Sequence, residues 1–95
     1  MFYEKRVRSL AGLKKEVRTL DADAGVRIVG SYLKSPCFAF VTRFAGRYTV
    51  MVYERRGGRY PAVGENLISR EFESLGELYG FLSEITTTKV DAYVY

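Results

Sequence analysis

The chain of 95 residues has no histidine, one cysteine (Cys37), two prolines, one asparagine (Asn66) and no glutamine. Without histidine it lacks the commonest general base near neutral pH and the commonest metal ligand. A single cysteine excludes an internal disulfide framework and a thiolate zinc site. The longest apolar stretch, around Pro36 to Val41, falls far short of the roughly 20 residues that span a bilayer. Met1-Phe2-Tyr3-Glu4 does not open as a signal peptide, so a cytoplasmic protein is expected. The scarcity of amides, with Arg outnumbering Lys ten to five, points to a thermophilic source.

What is present is enough for one folded unit. With 47% hydrophobic, 15% aromatic and 27% charged residues, positions 1–95 are expected to form a single domain with a modest core. The net charge of +4 conceals a division along the chain. Residues 1–60 hold 13 Lys+Arg against Glu4, Glu16, Asp21, Asp23 and Glu54, a charge of +8. Residues 61–95 hold Arg70 and Lys89 against Glu65, Glu71, Glu73, Glu77, Glu84 and Asp91, a charge of −4. A concentrated basic surface raises the local concentration of polyanions, which makes nucleic acid the leading class of partner.

Two segments share the pattern S-L-x-x-L, Ser9 to Leu13 and Ser74 to Leu78, and Ser74 with Glu77 has capping-box spacing. Both read as helix starts. Leu10, Leu13, Val17 and Leu20 define one amphipathic helix ending near Asp21, and Leu75, Leu78, Leu82 and Ile85 define a second from Leu75 to about Ile85. Val26 to Lys34, Phe38 to Phe44, Arg47 to Arg55 and Leu67 to Glu73 are rich in β-branched and aromatic residues and read as strands. Lys89 to Tyr95 alternates Val90, Ala92 and Val94 with Asp91, Tyr93 and Tyr95 and reads as a last strand. Phe2 to Arg8 is a strand, or else the first helix begins earlier. The expected fold is α+β, an antiparallel sheet with a central meander packed against two helices, in the order β-α-β-β-β-β-α-β.

The hairpin from Phe38 to Arg55 carries the functional reading. If Gly46 takes the left-handed position of a three-residue turn, odd residues pair with odd. One face then holds Phe38, Phe40, Tyr48, Val50 and Val52. The other holds Ala39, Val41, Arg43, Arg47, Thr49, Met51, Tyr53 and Arg55. A two-residue turn would instead set Phe38, Phe40 and Phe44 beside Tyr53 and the arginines. The first register segregates polarity better, and it assigns the phenylalanines to the core. Both registers leave a sheet face where arginines surround at least one ring. Rings stack on unpaired bases at about 1–3 kcal/mol each while guanidiniums neutralise phosphates. Arg27 and Ser31 join this face from the preceding strand, and the loop Arg55-Arg56-Gly57-Gly58-Arg59-Tyr60 adds three guanidiniums and a ring. Arg47 to Arg55 spans about 26 Å, enough for several nucleotides.

The run Phe40 to Glu54, followed by a Gly-rich loop, a further strand and a helix opened by Ser74-Leu75, resembles the β-β-β-β-α layout of the Whirly and positive-cofactor family of single-stranded DNA-binding proteins. The likeness covers about Val26 to Ile85. It implies single-strand binding by a curved sheet, with the helix helping to form a dimer. In size, basic-aromatic character and amide-poor composition the chain is also similar to the ThermoDBP single-stranded DNA-binding proteins.

The expectation is a non-enzymatic protein that binds single-stranded DNA or RNA with little sequence preference. Its contacts would come from Arg27, Arg43, Arg47, Tyr53, Arg55, Arg56, Arg59 and Tyr60, in a homodimer, with no cofactor, no metal and no membrane. The rival is an oligomerisation or protein-interaction module in which basic and acidic surfaces meet. A third reading, a small nuclease using Asp21, Asp23 and glutamates, has the least support, because Asp21-Ala22-Asp23-Ala24-Gly25 reads as a helix-terminating loop. Glu71, Glu73, Glu77 and Glu84 read as a solvated face with ordinary capping. Cys37 reads as a small buried residue at a strand start.

Overall fold

The computed structural model describes residues 5–56, 62–86 and 90–95. Each helix starts at a serine. Ser9 Oγ accepts from the Gly12 amide at 3.0 Å ahead of α1 (Leu10–Arg18), and Ser74 Oγ from the Glu77 amide at 3.5 Å ahead of α2 (Leu75–Ile85). Such a cap satisfies an amide the first turn leaves unpaired and contributes about 1 kcal/mol. Beyond the caps, the three-to-four spacing buries Leu13 and Val17 on α1, and Leu78, Phe81, Leu82 and Ile85 on α2. The first helix stops at Arg18, before the expected end near Asp21.

The strands are β1 (Lys5–Val7), β2 (Gly25–Tyr32), β3 (Ser35–Phe44), β4 (Arg47–Arg56), β5 (Ala62–Phe72) and β6 (Asp91–Val94). The chain is therefore an α+β protein in the expected element order. Its six strands form one antiparallel sheet ordered β1-β6-β2-β3-β4-β5. The meander from β2 to β5 occupies most of the sheet, and β6 sits between β1 and β2. The fifth strand begins at Ala62 rather than Leu67, and its register shifts twice opposite β4, between Val52 and Tyr53 and between Tyr53 and Arg55. Asn66 serves the first shift: its Nδ2 donates to the carbonyls of Val52 at 3.2 Å and Ile68 at 3.4 Å.

The β3–β4 hairpin departs from the expected register. Phe44 pairs with Arg47 and Arg43 with Tyr48, so even positions oppose odd. The connection is the two-residue turn Ala45-Gly46, with φ of 52° and 78°. Positive φ at both central residues marks a type I′ turn, whose twist matches that of the flanking strands. Packing explains why polarity segregation misleads here. The buried positions are Cys37, Ala39 and Val41 on β3 and Tyr48, Val50 and Val52 on β4. Small side chains on this face let α2 approach closely; a Cβ on Gly30 of β2 would lie 2.2 Å from the Ile85 carbonyl oxygen. Phenylalanine at 38 and 40 would overfill that layer.

Both helices cover this one face, closing a core that includes Leu13, Val17, Val26, Ile28, Val50, Leu78 and Leu82. Across it, Tyr79 of α2 donates its hydroxyl to the Lys14 carbonyl of α1 at 3.3 Å. Among the described residues no helix is long and apolar enough to cross a membrane.

Candidate nucleic-acid interface

Residues opposed in an antiparallel ladder project to the same side, so the pairing assembles the second face directly. One row crosses all six strands: Arg6, Tyr93, Arg27, Phe40, Met51 and Ser69. The adjacent row is Asp91, Val29, Phe38, Tyr53 and Asn66. At a strand spacing of about 4.8 Å, the first row is about 24 Å long. Among the described residues no helix lies over either row.

The centre of this face is aromatic. Phe38, Phe40, Tyr53 and Tyr93 are half-buried, and Met51 is 37% exposed. Phe40 meets Tyr53 edge-on, with ring centroids 5.7 Å apart at 76°, and Phe38 lies 6.5 Å from Phe40. Guanidiniums border the rings. Arg27 stands 4.8 Å and Arg6 5.8 Å from the centroid of Tyr93, while Arg55 stands 5.9 Å from that of Phe38. Tilted rings carrying arginines on one side of a sheet suit bases laid flat, with phosphates at the margins.

The face is not uniformly basic. Arg6 pairs with Asp91 at 3.1 Å. Near the Ala45-Gly46 turn, Arg47 pairs with Glu71 at 3.7 Å and Glu73 at 3.3 Å, so that end carries more acid than base. The cations beside the rings are therefore Arg6 on β1, Arg27 on β2 and Arg55 on β4, with Tyr93 and Asp91 of β6 between the first two, rather than a run along β4 from Arg47 to Arg55.

Of the residues singled out from sequence, Arg27, Arg47, Tyr53 and Arg55 lie on this open face. Arg43 and Arg56 do not, which corrects the expected face. In the observed register Arg43 points to the helix side, donating to the Leu20 carbonyl at 3.4 Å and standing 5.4 Å from the Tyr48 ring. Arg56 falls on that same side and pairs with Glu54 at 3.0 Å. Arg59 and Tyr60 lie outside the described residues. The assignment of Phe38, Phe40 and Phe44 to the core is reversed: all three project from the open face, and Phe44 is 79% exposed. Arg6 and Tyr93 were missed because the contact of β6 with β1 and β2 leaves no local trace in the sequence.

Cys37 is buried as expected, and burial pushes its thiol above the ordinary value of 9.0, against a smaller lowering by Arg55. Among the described residues no group of three or more His, Cys, Asp or Glu could hold a metal ion. Comparison of the chain with family models, curated proteins and solved structures finds no match in any of the three.

Proposed function

We propose that the protein binds single-stranded nucleic acid, without catalysis and with little sequence preference, on the open face of its sheet. The observation that carries this reading is the pair of adjacent rows in which Phe38, Phe40, Tyr53 and Tyr93 lie with Arg6 and Arg27, bordered by Arg55, on a face that no helix covers among the described residues. Unpaired bases offer a π-face to such rings, whereas stacked base pairs do not. The β-β-β-β-α likeness to Whirly-type proteins agrees with this reading. The extra strands β1 and β6 lie outside that likeness and widen the face by Arg6 and Tyr93.

Three phosphates neutralised by Arg6, Arg27 and Arg55 give a slope of about −2 for log K against log salt, steeper if a longer strand meets further cations. Anisotropy titrations of labelled 20-mers, single- and double-stranded DNA and RNA at two salt concentrations, test this. The expected result is tighter binding of single strands with that slope. Equal affinity for duplex, or no binding at low salt, overturns it.

A second reading draws on β5, an edge strand of 11 residues with one side of its ladder unpaired among the described residues. Such an edge can pair with a second copy, extending the sheet into a homodimer. Light scattering across salt, with and without oligonucleotide, separates this assembly from nucleic-acid binding.

A further inference from the structure

Among the described residues the meander has two hairpin tips, at opposite ends of the sheet, and they are built differently. The β3–β4 tip is Ala45-Gly46, a small residue and a glycine. The β2–β3 tip, between the paired residues Tyr32 and Ser35, is Leu33-Lys34, with φ of 50° and 67°. A type I′ turn asks for positive φ at both central positions, which Asn-Gly adopts at little cost and which leucine and lysine resist. Leu33 is also 81% exposed. A lone exposed leucine needs no explanation by itself. A leucine held exposed in a strained conformation, where Asn-Gly would make the same turn more cheaply, points to use of the side chain.

The location indicates the use. Ser31 and Pro36 form the next open-face pair beyond Val29 and Phe38, and Arg55 follows Tyr53 on the same face of β4 by strand alternation. The tip follows about 13 Å past Val29 at 3.3 Å per residue. A single strand that leaves the rings alongside Arg55 runs toward Leu33 and Lys34. At the other end of the sheet Glu71 and Glu73 oppose a polyanion.

We propose that the Leu33-Lys34 tip is a second contact for the same single strand, with Leu33 packing against a base beyond the rings and Lys34 meeting its phosphate. The inference rests on the open face being the primary site. It makes the ligand a strand several nucleotides longer than the rings alone seat, and it gives the bound strand one exit.

The test uses Leu33→Asn and Lys34→Gly, each alone, against a 4-mer that fills only the rings and a 12-mer that reaches the tip. Either substitution relaxes the turn, so Tm is expected to rise by a few degrees. Leu33→Asn is expected to weaken the 12-mer by about 5-fold and leave the 4-mer unchanged. Lys34→Gly is expected to reduce the salt slope by about 0.7 on the 12-mer only. Wild-type affinities for the 12-mer in both variants overturn the tip contact while leaving the sheet site standing. Losses equal on both lengths overturn it as well, by tracing the effect to the fold. If wild type binds neither oligonucleotide, the sheet reading falls and the tip contact with it.

Discussion

On the helix-covered face Arg43 lies over Tyr48, and Arg70 over Phe72 and Phe81; on the open face Arg6 and Arg27 lie over Tyr93, and Arg55 over Phe38. The residue types are the same, and the outcomes differ. Tyr48, Phe72 and Phe81 are buried, so their rings belong to the core and the arginines close its rim. Phe38 and Tyr93 are half-buried, and among the described residues no helix lies above them. An arginine over a ring therefore does not mark a binding surface by itself. Whether another layer of the fold already occupies that side of the sheet decides the matter.

The contrast can be broken at neighbouring positions. Ile28 is fully buried and Arg27 faces out. Ile28→Ala is expected to cost about 2–5 kcal/mol in urea unfolding, and Arg27→Ala less than about 0.5. Equal costs would mean that the open face is also packed. Gly30→Ala forces a methyl against the Ile85 carbonyl and should cost about 1–3 kcal/mol by the same measurement. An unchanged midpoint would show that α2 can shift away.

On the open side, Phe40→Ala is expected to remove about 1–3 kcal/mol of single-strand affinity while barely altering duplex binding. Titration of both substrates decides whether the ring stacks or merely packs. Arg27→Ala should lower the magnitude of the salt slope by about 0.7, and Arg43→Ala should leave it unchanged. A loss at Arg43 would place the strand on the wrong side of the sheet.

The smallest effect concerns pH. Burial raises the Cys37 thiol in the folded protein, so the unfolded chain ionises first. The thiol's contribution to stability is complete below 9.0 and is lost as pH rises toward the folded value. Cys37→Ala should flatten this alkaline decline in Tm relative to wild type; parallel curves would assign the decline to other groups.

The helices were legible because Ser9 and Ser74 cap apolar stripes of unambiguous period, and the strand order along the chain followed from β-branched and aromatic runs. The start of β5 was not legible. Ala62-Val63-Gly64-Glu65-Asn66 lacks alternation, since two register shifts interrupt the period that would have betrayed a strand. The hairpin register was misjudged because hydrophobicity was taken to mean burial. The covered face instead uses Gly30, Cys37, Ala39 and Ala92 to admit a helix, and the larger rings of β3 are displaced outward. The same displacement that defeated the polarity argument supplies the rings of the candidate site.

Placement of β6 between β1 and β2 has a kinetic side. Arg6 and Asp91 are 85 positions apart, and among the described residues β1 joins the sheet through β6 alone. Closing so long a loop is slow and comes with little local reward. The meander, with its short turns, can form early, whereas the row from Arg6 through Tyr93 to Arg27 exists only after both distant strands have docked. Assembly of that margin is thus expected late in folding, and it would be the first part of the open face lost if β6 frayed.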